Sequence, residues 1–507
     1  MRNRFQTIHI IFNFLGSLFI VLGGLLLLPL VFVVAGGELE GGMATLWAFV
    51  VPSVASFLLG TLLTLVCRRG VPNSVQAMLI CCLGWIGFSA IGAIPFVIGI
   101  GVSYLDGYFE TMSGFTTTGI TMLSGLDSMP RSILFWRSLT QWLGGLGIVT
   151  FFLAVTFRGG SAHRLFGAES HKIDVGRPVP GIARTLKILW GIYALFTLII
   201  VLGLIGVGMS AFDSVCHSFT ALSTGGFSPY DASIEYYRIA GYTHYRWIEY
   251  ILVLGMILGG TNFLIHYRVL NGNFKALWDN MEMRYWWSGI GIFVAIIVLE
   301  RYLRLDPVAG LSSAGGGFWK QLEENFRIVL FQVVSILTTT GFGTRDIGTS
   351  FFGHTAKQLF LVMMVVGGCV GSTGGGIKVL RIGILMKLIR REVFKLRTPP
   401  RAVSTVLIDG TPLHSNEIYR VSGLFFTWIF LLVIGGCITA FLSNLDGLAA
   451  ASGMFSALGN IGPCYIPVKF MGELHPLIKI VYIFGMLAGR LEILPVLLLF
   501  SRKAWQA

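Results

Sequence analysis

The chain has 507 residues, of which 54% are hydrophobic and 12% charged, and a formal net charge of +13. A soluble domain carries about 25% charged residues, so this balance excludes an ordinary soluble enzyme and indicates a membrane protein. The positive charge does not read as a nucleic-acid surface, because the basic residues gather in alternate turns between apolar runs. They are Arg2 and Arg4; Arg68 and Arg69; Arg158, Arg164, Lys172, Arg177 and Arg184; Arg268 and Lys275; Lys378 through Arg401; and Arg502 with Lys503. Intervening turns, such as the one with Glu38 and Glu40, are acidic or neutral. This positive-inside alternation predicts cytoplasmic termini at both ends, with Arg131, Arg137, Arg238 and Arg246 as exceptions on the outer side.

A helix needs about 20 apolar residues to cross a bilayer. In chain order the predicted spans are Ile10 to Ala35, Leu46 to Val66, Met78 to Ile100, Ser132 to Phe157, Ile188 to Met209, Trp247 to Tyr267, a shorter run from Tyr285 to Val298, Ile418 to Leu442, and Leu477 to Phe500. The first run is too long for a cleavable signal peptide, and an acidic turn follows it. The seven cysteines show no metal-ligand spacing and read as small core hydrophobes.

Four short segments interrupt the apolar pattern. They are Thr116-Thr117-Thr118-Gly119, Ser223-Thr224-Gly225-Gly226, Thr338-Thr339-Thr340-Gly341 and Gly459-Asn460-Ile461-Gly462. With Gly119, Gly226, Gly341 and Gly462 as a common zero, three columns agree. Position −6 holds Ser113, Thr220, Ser335 and Ser456; position −4 holds Phe115, Leu222, Leu337 and Leu458; position −2 holds Thr117, Thr224, Thr339 and Asn460. The spacings, 226−119 = 107, 341−226 = 115 and 462−341 = 121, are nearly equal, which marks an internal fourfold repeat. Each repeat reads as an entering helix, a short helix of about ten residues, the glycine segment and a leaving helix, the short helix being re-entrant because it cannot span the bilayer. Asp106, Asp213 and Asp446 are the predicted helix caps, with Asn325 in the third repeat.

The expected fold is an all-α integral membrane protein of ten spanning helices. Four pseudo-symmetric helix–pore helix–filter–helix repeats surround a central pore, preceded by two extra transmembrane helices. The boundaries drawn are 1–72 for the N-terminal hairpin, 73–165, 166–275 and 276–402 for the first three repeats, and 403–507 for the fourth.

Four loops converging on one axis can ring a dehydrated cation with backbone carbonyls, and glycine supplies the positive φ such a turn needs. The candidate filter is therefore made of the sixteen residues of the four segments. The run Gly367, Gly368, Cys369, Val370, Gly371, Ser372, Thr373, Gly374, Gly375, Gly376 should break the leaving helix of the third repeat, since each helical glycine costs about 1 kcal/mol relative to alanine. Gly371 to Lys378 lacks the adjacent Gly-Lys-Ser/Thr ending of a phosphate loop. Arg490 is a charge at bilayer depth that needs a wet or paired environment. No catalytic constellation emerges, so an intramembrane enzyme has no nucleophile–base pair to support it, and the chain is not expected to be an enzyme.

These motifs resemble the TrkH/KtrB/HKT superfamily of potassium and sodium transport subunits. So do the runs Gln141-Trp142-Leu143-Gly144-Gly145-Leu146-Gly147, Gly259-Gly260-Thr261-Asn262-Phe263 and Gly489-Arg490-Leu491-Glu492-Ile493-Leu494-Pro495. The two additional N-terminal helices point to the TrkH branch. The resemblance implies potassium uptake across the cytoplasmic membrane, with K+ as the transported ion and no organic cofactor. It further implies that the glycine run obstructs the pore beneath the filter, with Arg490 on the pore wall. A homodimer and a cytoplasmic nucleotide-binding subunit of the TrkA type are the implied partners, alongside membrane lipid. Glycine rather than serine at position 119 favours potassium within that superfamily. A sodium-selective or poorly selective cation transporter is the alternative.

Overall fold

The computed structural model describes residues 2–147, 150, 182–304, 318–399 and 404–506. The predicted basic residues Arg158, Arg164, Lys172, Arg177 and Arg401, and the predicted span end at Phe157, lie outside the described residues.

Helices α1 (Arg2–Leu25) and α3 (Ala44–Val66) form a hairpin joined through α2 (Leu30–Ala35). Small residues set their approach: a Cβ on Gly60 would lie 2.6 Å from the Gly16 carbonyl oxygen, and one on Gly16 would lie 2.8 Å from that of Gly60. The hydroxyls of Ser53 and Ser56 donate to the Gly23 and Phe19 carbonyls, each at 2.7 Å. Such close contacts hold helices together where lipid offers no hydrophobic drive. On the outside of α3, Val54, Leu58, Leu62 and Leu65 are exposed, a face suited to acyl chains and a liability in water.

Four units follow with one element order. The first holds α4 (Ser74–Gly92), α5 (Ile94–Ile100), the short α6 (Tyr104–Phe115) and α7 (Arg131–Gly145). The second holds α8 (Ile182–Gly206), the short α9 (Ala211–Leu222), α10 (Tyr245–Gly260) and α11 (Phe263–Leu270). The third holds α12 (Met281–Arg304), α13 (Phe318–Leu337), α14 (His354–Val365) and α15 (Val379–Lys395). The fourth holds α16 (Ser415–Leu442), the short α17 (Gly447–Gly459), α18 (Pro476–Arg490) and α19 (Leu494–Leu498). The chain is an all-α membrane protein; β structure among the described residues is a two-residue pairing of Leu407–Ile408 with Thr411–Pro412. One core joins the hairpin to the first and fourth units through Phe115, Trp136, Leu458 and Tyr482. A second joins units two and three through Met256, Trp286, Val334 and Met363.

The structure departs from the sequence expectations in three places. Among the described residues six helices are long and apolar enough to cross a membrane, against ten predicted. The difference is the leaving helix, which is broken in every unit and not in the third alone; α10 and α11, for example, meet at 105°. Second, the shorter predicted run at Tyr285 is a 23-residue apolar span from Met281 to Leu303. Third, the caps differ. Ser103 and Ser210 accept from the backbone N–H of Asp106 and Asp213 at 3.2 and 3.1 Å, so these aspartates occupy the first turn rather than the cap, and Asp446 is itself a cap, accepting from Ala449 at 2.9 Å. Asn325 caps nothing, because α13 runs through it for 20 residues.

The arginines that break the positive-inside pattern have partners. Arg137 pairs with Glu110 at 2.8 Å with both side chains buried, Arg246 meets Glu323 at 3.5 Å, and Arg238 pairs with Glu235. Arg131 lies over the Phe212 ring. A neutralised arginine is not a free positive charge, which explains why these four do not disturb the alternation. Buried beside them, Arg327 bridges Glu249 and Glu323. Removing one partner of a buried pair typically costs about 3–5 kcal/mol, whereas replacing both with apolar residues is close to neutral. Arg327→Met should therefore lower the melting temperature in detergent sharply, and adding Glu249→Leu should recover much of the loss. An unchanged melting temperature in the single variant would contradict this account of the pair.

Candidate functional site

The four glycine segments share one backbone. At position −2, Thr117, Thr224, Thr339 and Asn460 are left-handed, with φ of 53°, 52°, 59° and 54°. At position zero, Gly119, Gly226, Gly341 and Gly462 have φ of 84°, 78°, 92° and 104°. The residues between them, Thr118, Gly225, Thr340 and Ile461, are not left-handed. A β-branched residue in this region is a genuine outlier and costs on the order of 1–3 kcal/mol. Asparagine tolerates the region best among non-glycine residues, so the fourth segment, which departs most in sequence, keeps the same conformation.

The short helices hold that backbone in register. The −1 N–H donates to the −6 carbonyl in every unit, from Thr118 to Ser113, Gly225 to Thr220, Thr340 to Ser335 and Ile461 to Ser456, at 2.8, 2.8, 2.8 and 3.0 Å. The −2 N–H donates to the −5 carbonyl in the same four places. These bonds close the C-terminus of each short helix as a left-handed cap does.

The segments meet in a closed ring. Gly119 lies against the Gly225 carbonyl, Gly226 against that of Thr340, Gly341 against that of Ile461, and Gly462 against that of Thr118. A Cβ added to these glycines would fall 2.2, 2.0, 2.1 and 3.0 Å from the respective oxygens. All four glycines line a single cavity of about 250 Å³, together with Asp231, Glu235, Asp346, Arg137 and Arg345.

On the opposite side of the ring lies the break of the third unit. Residues 366–378 form a loop between α14 and α15, stitched by Gly367 N–H to the Ile377 carbonyl at 2.8 Å and by Val379 N–H to Gly368 at 3.2 Å. The loop docks on the second unit, where Cys369 and Thr373 donate their N–H groups to the Gly260 and Gly259 carbonyls, and Gly371 accepts from Phe263. It also hangs from the −2 hydroxyls. Thr373 Oγ1 lies 3.1 Å from Thr224 Oγ1, and Gly375 N–H donates to Thr339 Oγ1 at 2.8 Å. Gly376 is left-handed at φ 66°, and the Gly374 carbonyl accepts from the buried Lys378 ammonium.

Arg490 ends α18 at the same level. Its guanidinium donates to Thr117 Oγ1 at 3.1 Å, to the Thr373 carbonyl at 2.5 Å and to the Gly144 and Gly145 carbonyls at 2.6 Å each. The neighbouring carboxylate, Glu492, pairs instead with Arg381 of α15 at 2.6 Å. The structure thus brings together the sixteen filter candidates, the six glycines of the loop, and Arg490.

Sequence reasoning assigned no role to several residues that support them. Gln141, fully buried in α7, donates to the Gly225 carbonyl at 2.7 Å and accepts from Phe227 N–H at 3.0 Å, clamping the second segment from the first unit. Glu282 accepts from the loop's Val370 N–H at 2.6 Å, and Asn262 caps α11 just where the loop docks. A polar residue inside an apolar run was the available signal for Gln141; Glu282 and Asn262 become readable only once the break positions are known.

The TrkH family model, described as a cation transport protein, matches residues 47–507. The chain is 33% identical over 445 residues to the Trk system potassium uptake protein TrkH of Salmonella typhimurium, covering 87% of this chain and 88% of that protein. It is 30% identical over 505 residues to the Trk system potassium uptake protein TrkI of Halomonas elongata, covering 98% and 96%. The crystal structure of the potassium transporter TrkH from Vibrio parahaemolyticus aligns with a TM-score of 0.82 at 31% identity, over 98% of this chain and 99% of that one.

The break of each leaving helix has a local cause that can be tested. Gly144, Gly259 and Gly489 press on the −4 carbonyls of Phe115, Leu222 and Leu458, and a Cβ there would sit 1.9, 2.4 and 2.0 Å from the oxygen. Gly259→Val should abolish folded protein or ion flux. Gly191→Ala, where nothing lies within 4 Å, should be tolerated and gain up to about 1 kcal/mol of helix preference. Equal yield and flux for the two variants would remove close packing as the reason for these glycines.

Proposed function

The chain belongs to the TrkH family of cation transport proteins, and on that premise we propose that it takes up potassium through the ring of four glycine segments. The observation that carries this reading is the closure of that ring: each zero glycine abuts the −1 carbonyl of the next unit, all the way round. Carbonyl oxygens held in a ring replace a cation's hydration shell. The C-terminal ends of the short helices add partial negative charge at the same place. The filter in this reading is Thr116, Thr117, Thr118 and Gly119; Ser223, Thr224, Gly225 and Gly226; Thr338, Thr339, Thr340 and Gly341; and Gly459, Asn460, Ile461 and Gly462.

The gate is the loop with Gly367, Gly368, Gly371, Gly374, Gly375 and Gly376, tied up against the filter by hydroxyls and by Arg490. The charge alternation supports termini on the cytoplasmic side of the inner membrane. The family resemblance supports a second copy of the chain and a nucleotide-binding subunit of the TrkA type as partners, and the relatives' designation as parts of a Trk system supports more than one component.

Two variants test the reading in liposomes with ion-resolved flux. Gly341→Ser puts a Cβ 2.1 Å from the Ile461 oxygen at a φ of 92°, so it must displace a carbonyl of the ring and should lower the potassium-over-sodium flux ratio. An unchanged ratio would reject the filter assignment, and a parent protein that passes both ions equally would favour a poorly selective cation transporter. Arg490 acts lower down. A unit charge at about 8 Å from a cation raises its energy by about 2 kcal/mol at an effective dielectric of about 20, and the same guanidinium ties the loop to Thr117. Arg490→Gln relieves both restraints and should increase potassium flux with an intact fold. Lower flux together with a lower melting temperature would show instead that Arg490 serves the bundle alone.

A further inference from the structure

The four units share a further column, nine residues before each filter glycine: Glu110, His217, Gln332 and Gly453. It faces position +2, just past the ring on the cavity side, which holds Thr121, Ser228, Gly343 and Cys464. In the first unit Glu110 accepts from the Thr121 hydroxyl at 2.9 and 3.0 Å and from Met122 N–H at 3.0 Å. In the second, His217 Nε2 lies 3.2 Å from Ser228 Oγ. Arg137 joins these two rims, donating to Glu110 at 2.8 Å and to the Ser228 carbonyl at 3.0 Å, with its guanidinium 4.1 Å from the Phe227 ring centre. In the fourth, the place of the missing side chain is taken by Tyr482, whose hydroxyl lies 2.0 Å from where a Gly453 Cβ would be.

The third unit is different. Gln332 is 1% exposed, yet neither its amide oxygen nor its amide nitrogen has a hydrogen-bond partner among the described residues. Its counterpart, Gly343, carries no hydroxyl. Of the three polar members of the column, Gln332 alone lines the cavity above the ring. A Cβ on Gly343 would meet nothing closer than the Arg345 carbonyl at 3.5 Å, an ordinary contact, and its φ is not positive. The Gly343 backbone is held from outside, by Ser233 Oγ and by the N–H groups of Ile234 and Glu235, and Ser335 Oγ holds the Phe342 carbonyl one residue deeper. Neither of these replaces a strut from beneath position +2.

We propose that the residue nine before each filter glycine is a strut that positions the outer rim of the filter, and that Gln332 is a strut left unengaged, making the third quarter the compliant wall that limits ion selectivity. This rests on the ring being the selectivity filter.

The test is the potassium-over-sodium flux ratio in liposomes, with melting temperature measured on each preparation. Gly343→Ser supplies the hydroxyl and Gly343→Ala supplies the same Cβ without it. The serine variant should exceed the alanine variant by about threefold, within what one added hydrogen bond can contribute. Adding Gln332→Leu should erase that difference. Equal ratios for the two Gly343 variants, or a difference that survives Gln332→Leu, would overturn the proposal. Should either Gly343 variant fail to fold, Thr121→Val in the parent reads the same idea from the first unit: a lower ratio at an unshifted melting temperature supports the strut, and an unchanged ratio rejects it. Gly226→Ser run in parallel separates the two levels of the argument. If it lowers the ratio while the strut variants do nothing, the filter stands and the strut falls; if it too does nothing, the filter reading itself is wrong.

Discussion

The left-handed backbone at the −2 and zero positions is the constraint on which the rest of the structure depends. Three of the four −2 residues are threonines, and a β-branched residue held at φ near 55° persists only where its surroundings over-determine it. Each short helix does so by accepting two N–H groups from the segment that follows it. The helix must therefore end at that depth, which makes it re-entrant. The leaving helix must then approach its last carbonyls closely, which places Gly144, Gly259 and Gly489 against them. Strain, short helix and glycine contact are one arrangement, repeated around an axis.

Symmetry holds at the ring and fails below it. The −2 hydroxyl faces away from the cavity in the first three units and serves there as an attachment point: Thr117 for Arg490, Thr224 for Thr373 and Thr339 for the backbone of Gly375. The residues that tolerate the strained backbone are thus the ones that hold the third-unit loop. In the proposed gate, moving the loop means exchanging these hydrogen bonds, so ring and loop are not mechanically independent. Lys378, Glu282 and Asn262 fix the loop's other side, leaving a structure that is stitched at both margins.

Much of this was legible in the sequence. Equal spacing of the glycines, with three agreeing columns, was enough to place four segments in common register, because fourfold geometry imposes the same local chemistry each time. The breaks in the leaving helices were not legible outside the third unit. Hydropathy runs unbroken through Gly259-Gly260-Thr261-Asn262, and the 105° bend follows from the contact of Gly259 with a residue 37 positions away, Leu222, and from the Asn262 cap. Asn325 read as a cap because a ten-residue short helix was assumed; α13 instead extends beyond the ring unit by a further amphipathic stretch. Asp106 and Asp213 illustrate how one hydroxyl upstream, Ser103 or Ser210, takes the cap and leaves the carboxylate in the first turn.

The central claim is that four strained segments form one cation site. The most direct measurement is anomalous scattering from crystals grown with rubidium or thallium(I), monovalent ions of potassium's charge and preference for oxygen. The account predicts a peak on the axis of the ring, coordinated by the carbonyls of Thr118, Gly225, Thr340 and Ile461. A well-diffracting crystal with ions bound elsewhere and none on that axis would contradict it.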